Sequence, residues 1–270
     1  MTTDALHEAR ELWDRFAPMF EAEMERSTLL LARTLLGHLR LEEATALLEV
    51  GAGAGGAALA SRESLPASAR HVVTDLAPAM VRRARERLPS SVAVLEADAC
   101  ALPFGAGEFD RLLANLNLML VPDADAALRE AARVLRPGAR AAWSVWGRPE
   151  HSAMFSLPPQ AAREVGLELP EPPRSNFHLN DREALLARVR AAGFARPIAW
   201  HQLVGRDVRD GEAYAAVTLA TPRWVGLLEG VAPELVAAFR ARLVALADEH
   251  LARGLPIGLD ALIVVAERGG

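Results

Sequence analysis

One short stretch carries the first chemical signal: Glu49-Val50-Gly51-Ala52-Gly53-Ala54-Gly55-Gly56, placed directly after the apolar residues Ala46-Leu47-Leu48. An apolar run that ends in glycines reads as a buried strand turning tightly into a helix. Glycine suits that turn because it tolerates positive φ and lets a ligand approach the backbone without a Cβ in the way. The first N–H groups of the helix are left unpaired and face whatever lies in the crevice. Gly51-x-Gly53-x-x-Gly56 matches the dinucleotide fingerprint, and Asp75 lies far enough downstream to take a ribose hydroxyl. Glu49 argues against a dinucleotide, because a pyrophosphate on this turn would face a carboxylate in a partly desolvated cleft. A ligand that brings positive charge would be attracted instead.

The same letters read as Glu-x-Gly-x-Gly-x-Gly, a loop suited to S-adenosylmethionine, whose ammonium and sulfonium are both cationic. The expected cofactor contacts are therefore Glu49, Gly51, Gly53 and Gly55 on the loop, with Asp75 at the end of the second strand for the ribose. Asp75 has a second reading as a helix cap ahead of Pro78. Leu76 and Met80 are placed to flank adenine, although either could equally be core. Asp98 can accept from the adenine amino group and Ala99 can offer its N–H, unless Asp98 is an ordinary turn aspartate. Asn115, leaving the fourth strand with Leu116–Met119 behind it, is the last expected cofactor contact.

Composition removes whole classes of function. The net charge is −5, which provides no basic footprint for nucleic acid. All 30 basic residues are arginine, so there is no P-loop lysine and no Schiff-base lysine. Cys100 is the single cysteine, which excludes an internal disulfide framework and a multi-cysteine zinc site. No apolar run is long enough for a membrane span, and Met1-Thr2-Thr3-Asp4 opens no signal segment; the expected location is cytoplasmic.

The elements that must position these residues follow from periodicity. Residues 4–40 read as two helices, the first capped by Asp4, with Pro18 interrupting and a second helix over Glu21–Leu39. From Ala46 strand and helix alternate: strands over Ala46–Val50, His71–Asp75, Val92–Ala97, Phe109–Asn115 and Ala139–Trp146, and helices from Gly55, over Pro78–Leu88 and over Asp123–Leu135. Arg136-Pro137-Gly138 ends the last of these helices. Such alternation predicts right-handed βαβ units and a parallel sheet. The proline-rich stretch 147–180 reads as a cap or substrate loop without a strong strand. Helix Asp181–Ala192, strand Ile198–Val204, a mostly helical 207–256 and strand Leu259–Ala266 complete the chain. The predicted organisation is an N-terminal helical lid (1–42) and a main domain (43–270) with cap segments at about 147–180 and 207–256.

Residues 46–146 resemble the class I S-adenosylmethionine-dependent methyltransferases, in particular the group similar to ubiquinone/menaquinone C-methyltransferases. The resemblance rests on Glu49–Gly55, on Val73-Thr74-Asp75-Leu76-Ala77-Pro78-Ala79-Met80, and on Glu96-Ala97-Asp98-Ala99-Cys100-Ala101-Leu102-Pro103-Phe104. It continues in Phe109-Asp110 and in Ala131-Ala132-Arg133-Val134-Leu135-Arg136-Pro137-Gly138. It implies an α/β, Rossmann-like, mostly parallel sheet of seven strands in the order 3-2-1-4-5-7-6, the last antiparallel, with helices on both faces. It also implies methyl transfer to a small organic acceptor, such as a natural product or quinone-like metabolite. Two positions depart from the family pattern: Ala54 stands where threonine is common, and Ala139 where a second glycine is common.

Catechol-type relatives carry metal-binding carboxylates near the end of the fourth strand; Asn115 is not one, so no metal is expected. The Asn-Pro-Pro-Tyr motif of amino-directed DNA methyltransferases is absent, and Cys100 does not follow proline as a cytosine-C5 nucleophile would. His151 and His178, in the proline-rich stretch, are the candidate general bases. Acceptor choice is expected in residues 4–40, 147–180 and 207–230. The competing functions are a nicotinamide-dependent oxidoreductase and a non-catalytic S-adenosylmethionine-binding protein. The sequence leaves the oligomeric state open.

Overall fold

Two strands of five and six residues, mostly apolar and buried along their whole length, form the centre of the sheet. The computed structural model describes residues 3–171 and 174–270. In chain order these form α1 (Thr3–Met19), a π-helical segment (Phe20–Met24), α2 (Glu25–His38), β1 (Ala46–Val50), α3 (Gly56–Ser61), β2 (Arg70–Asp75), α4 (Pro78–Arg87) and β3 (Val92–Glu96). They continue with β4 (Phe109–Ala114), α5 (Ala124–Val134), β5 (Leu135–Trp146), α6 (Ala153–Glu164), α7 (Arg182–Ala191) and β6 (Phe194–Gly205). The chain ends with α8 (Gly211–Leu219), α9 (Pro222–Leu228), α10 (Pro233–Ala252) and β7 (Gly258–Arg268).

The strand order is β3-β2-β1-β4-β5-β7-β6. β1 pairs in parallel with β2 and with β4, and β7 runs antiparallel to β5. This is the order and the reversed last strand that the resemblance implied. Because β1 sits between β2 and β4, the chain changes direction across the sheet at β1, and a crevice opens at the carboxyl ends of β1 and β4. Glu49 stands at that end, in register with Val73 on β2 and Leu113 on β4. Asp123 caps α5 by accepting from Ala126 N–H at 2.9 Å, and Asp181 caps α7 by accepting from Ala184 N–H at 2.9 Å.

Contacts divide the chain into two units. The first runs to Trp146 and adds Asn176–Gln202 and Ala261–Gly270; the second comprises Gly147–Ser175 and Leu203–Asp260. The first holds the glycine loop and every expected cofactor contact. The second has its own apolar core, in which Leu157, Ala161, Tyr214, Trp224, Phe239 and Leu243 meet.

Three local expectations change. Pro18 does not end the first helix: α1 passes through it and widens into the π-helical Phe20–Met24. Proline removes one backbone donor, and a π turn is a common local adjustment to such a defect. The helix before Arg136-Pro137-Gly138 ends as expected, but those residues lie inside β5, which starts at Leu135 rather than Ala139, and the ladder to β4 shifts register between Phe109 and Arg111. A strand proline is tolerated at such an irregularity. The stretch 147–180 is not purely loop, since α6 carries Pro158 and Pro159 in its interior. The proposed Asp4 cap, and Pro172 and Pro173, lie outside the side chains described.

Candidate cofactor site

The glycine loop is built by close approach as much as by turn geometry. Gly51 and Gly53 have φ of +67° and +56°, a region that L side chains rarely adopt. A Cβ on Gly51 would overlap the Asn117 amide, and one on Gly53 would stand 3.2 Å from the Phe20 ring. Ala52 N–H donates to Thr74 O at 2.9 Å, tying the loop to β2.

Asp75 fixes the loop further. Its Oδ2 accepts from Gly53 N–H at 2.8 Å and its Oδ1 from Ala77 N–H at 2.9 Å. Burial raises its pKa, while the N–H groups of Ala77, Gly53 and Leu76 pull it back. The cap position of α4 belongs to Ala77, so the carboxylate acts mainly between loop and strand. A carboxylate oxygen has a second lone pair, which leaves each able to accept once more.

Glu49 is the exception among these satisfied groups. It is 2% exposed, and its Oε2 finds no hydrogen-bond partner. Burial first, then the charges of Asp75 and Glu25, push its pKa up to about 8. A buried carboxyl without a donor is costly, and a cation is the ligand that would relieve it. The α2 residue Glu25 reaches the start of α3: its Oε1 lies 2.6 Å from where a Cβ on Gly56 would stand. Arg87 Nη1 donates to that carboxylate at 2.8 Å and to Ala54 O at 3.0 Å, so one guanidinium joins α2, the glycine loop and α4. Arg83 also pairs with Glu21, and Asp14 Oδ1 accepts from Ala79 N–H at 2.7 Å. Trp13, Ala17 and Phe20 pack over Ala77, Ala79 and Met80.

The remaining predicted residues divide by position. Leu76 is half-buried beside Asp75, whereas Met80 is buried in the core beneath α1. Asp98 Oδ1 accepts from Cys100 N–H at 2.8 Å, which forms the turn that holds the buried Ala99. Asn115 has both ends of its amide engaged: Nδ2 donates to Thr28 O at 3.1 Å, and Oδ1 accepts from Ser144 Oγ at 2.8 Å. Ser144 Oγ in turn accepts from Leu116 N–H at 2.8 Å, where φ is +51°. Thus Asn115 holds the end of β4 against α2. His151 and His178 are both exposed and belong to different units. Sequence reasoning missed Phe20, Glu25 and Ser144, and placed Asn117 only within the stretch that follows the fourth strand. Only Ser144 carried a signal, as a hydroxyl inside the apolar run Ala141-Ala142-Trp143-Ser144-Val145. A groove of about 340 Å³ near Arg33 and Glu63 contains none of the predicted site residues.

The β1–β4 switch point, the glycine loop and the buried carboxyl with an unmet oxygen are the marks of a ligand-binding α/β fold. Residues 48–143 match the family described as a methyltransferase domain. The demethylmenaquinone methyltransferase of Mycobacterium sp. strain KMS is 31% identical over 212 residues, which cover 70% of this chain and 89% of that protein. An uncharacterized protein of Mycobacterium tuberculosis is 37% identical over 95 residues, but the match spans only 34% of each chain. The chain thus spans about a third of the length of that relative. Among solved structures, the cyclase SpnF superposes with a TM-score of 0.63 at 20% identity, covering 97% of this chain and 96% of its own. The chain belongs to the class I S-adenosylmethionine-dependent methyltransferases, and its cofactor is that family's S-adenosylmethionine. Family membership sets aside the dinucleotide reading of the loop.

Proposed function

We propose that this protein transfers the methyl group of S-adenosylmethionine to a small organic acceptor, with a quinone-like molecule the first class to try. The observation that carries the reading is the orphaned Glu49 beside the glycine loop, since a buried carboxyl and a backbone cradle suit a cationic, nucleoside-bearing ligand. In this reading Glu49 faces the ammonium, the loop at Gly51, Gly53 and Gly55 lies against the amino-acid portion, and Asp75 accepts from the ribose hydroxyls. Leu76 flanks the adenine, and Asp98 with Ala99 meets its polar edge. The sulfonium supplies an already activated methyl group. The chain's task is to orient the acceptor in line and exclude water, with Phe20 and α2 covering the loop and the Asn115–Ser144 pair fixing the exit of β4. The quinone-like class draws support from the relative named demethylmenaquinone methyltransferase.

Calorimetric titration tests the cofactor side. S-adenosylmethionine and S-adenosylhomocysteine should bind and NAD should not; tight NAD binding alone would overturn the reading. A panel of hydroxyquinones and catechols incubated with labelled cofactor tests the acceptor by methyl incorporation. If the acceptor must lose a proton, His151 and His178 are the proposed bases, and His151→Ala or His178→Ala should depress turnover at saturating cofactor. Unchanged turnover in both would leave positioning as the source of rate.

A further inference from the structure

We propose that cofactor binding expels one proton from Glu49, and that Glu25 on the lid helix and Asp75 on β2 set the pH at which this occurs. This rests on the reading of the site given above and adds a regulation to it.

The argument starts from what surrounds Glu49. Its register neighbours, Val73 and Leu113, bring no charge. The titratable groups whose charge bears on it are two acids, Asp75 from β2 and Glu25 from α2. Asp14 of α1 adds to the field at Asp75. The nearby cation, Arg87 of α4, is already committed to Glu25 at 2.8 Å, with a second contact to Glu21 at 3.7 Å. A carboxyl taken out of water with no donor to meet it keeps its proton. Glu49 is 2% exposed with an oxygen that nothing meets, and the nearest guanidinium is spent on Glu25, so Glu49 carries the proton; its pKa near 8 agrees.

An arriving ammonium reverses this balance. The Glu49 O–H bond breaks, the proton leaves to the buffer, and the carboxylate pairs with the cation; nothing is oxidised or reduced. Below a pH of about 8, binding and deprotonation are then one event, so affinity should rise about tenfold per pH unit and level off above that point. No histidine confuses the window locally, because His71 stands at the opposite end of β2.

The experiment is calorimetry of the full chain with S-adenosylhomocysteine, which carries the ammonium without the sulfonium. Titrations near pH 6.5, in buffers of different ionisation heat, should report close to one proton released, declining toward none at about pH 9. Glu49→Gln, a neutral near-isostere, should bind more weakly, release no proton and give a flat pH profile. Glu25→Gln removes a charge that holds the proton on Glu49, so the midpoint should move to lower pH, a shift that a purely structural role would not produce. Binding by the native protein with no net proton release, or release that persists in Glu49→Gln, overturns the proposal. Failure of the folded native protein to bind S-adenosylhomocysteine at any pH overturns the cofactor reading itself, which keeps the two failures apart.

Discussion

At the amino ends of β1 and β4, Asp110 accepts from Thr45 N–H at 2.9 Å, Thr45 Oγ at 2.6 Å and Ala46 N–H at 3.1 Å. Burial alone would raise its pKa, but these donors and the Arg111 guanidinium lower it instead. At the carboxyl ends of the same strands, Glu49 is buried with an oxygen that nothing meets. Both are carboxyl groups at the margin of one sheet, and both have arginine nearby. The difference lies in where the donors are spent. Asp110 is wired to the backbone that starts β1, so its ionised form is part of the fold. Glu49 lies in the field of Asp75 and Glu25, with the local arginine held by Glu25, so on the function proposed above its ionised form waits for a ligand. That reading places stability at one end of the sheet and binding at the other.

The sharpest way to break this comparison is Asp110→Ala. It strands the buried Ala46 N–H and frees two donors of the exposed Thr45 that water can meet, so a loss of about 1–3 kcal/mol is expected. A urea titration should show it, while the fraction that remains folded should bind S-adenosylhomocysteine almost normally. If cofactor affinity fell as steeply as stability, the two ends would not be separable.

His71 extends the comparison to acid pH. It is 4% exposed with neither ring nitrogen partnered, and burial, then the Arg62 charge, lower its pKa to about 4. At this site the unfolded chain therefore binds one more proton between about pH 4 and 6.5, a contribution to stability that rises with pH, whereas Glu49, with its pKa pushed up to about 8, contributes the opposite slope over the same window. The His71 contribution alone, read as native protein minus His71→Leu, should be worth about 3 kcal/mol at the lower edge, since each pKa unit is worth about 1.4 kcal/mol. His71→Leu should remove most of that slope while leaving cofactor binding unchanged. An acid slope identical in mutant and native protein would assign the loss to other groups.

Asp75→Ala acts at the binding end. It removes the acceptors that hold Gly53 N–H and Ala77 N–H, together with the proposed ribose contact, so affinity should fall at least about tenfold. Circular dichroism should show the fold retained. Unchanged affinity would confine Asp75 to a structural tie.

Much of this was legible because local rules and global fold agree. The strand limits at Ala46–Val50 and the glycine loop follow from short-range patterns, whereas the order of the sheet came only from the family resemblance. Asp75 was legible as a residue but not in its partners, since Gly53 reaches it only once the loop has closed. Glu25 was hidden for a different reason. It lies on a helix surface full of glutamates, and its approach to Gly56 depends on how α2 packs, which helical periodicity does not encode. Met80 was ambiguous because an adenine flank and a core position ask for the same side chain. In the second unit, Pro158 and Pro159 argued for loop, and tertiary contacts overrode them.

That override supplies the smallest and most specific effect. Proline 158 has no N–H, so the Met154 carbonyl one turn earlier in α6 loses its helical donor. Tyr214 of α8, 1% exposed, donates its hydroxyl to that carbonyl at 2.8 Å. Burial raises the phenol's pKa, which keeps it protonated and able to donate. Tyr214→Phe retains the ring among Leu157, Trp224 and Phe239 but orphans the carbonyl, for an expected loss of about 1 kcal/mol. Pro158→Ala restores a backbone donor to the same carbonyl, so the cost of Tyr214→Phe should shrink in that background. Urea midpoints of the two single variants and the double variant make the cycle. A non-additive result ties the proline to the tyrosine, whereas strict additivity would show that α6 tolerates its prolines by some other means.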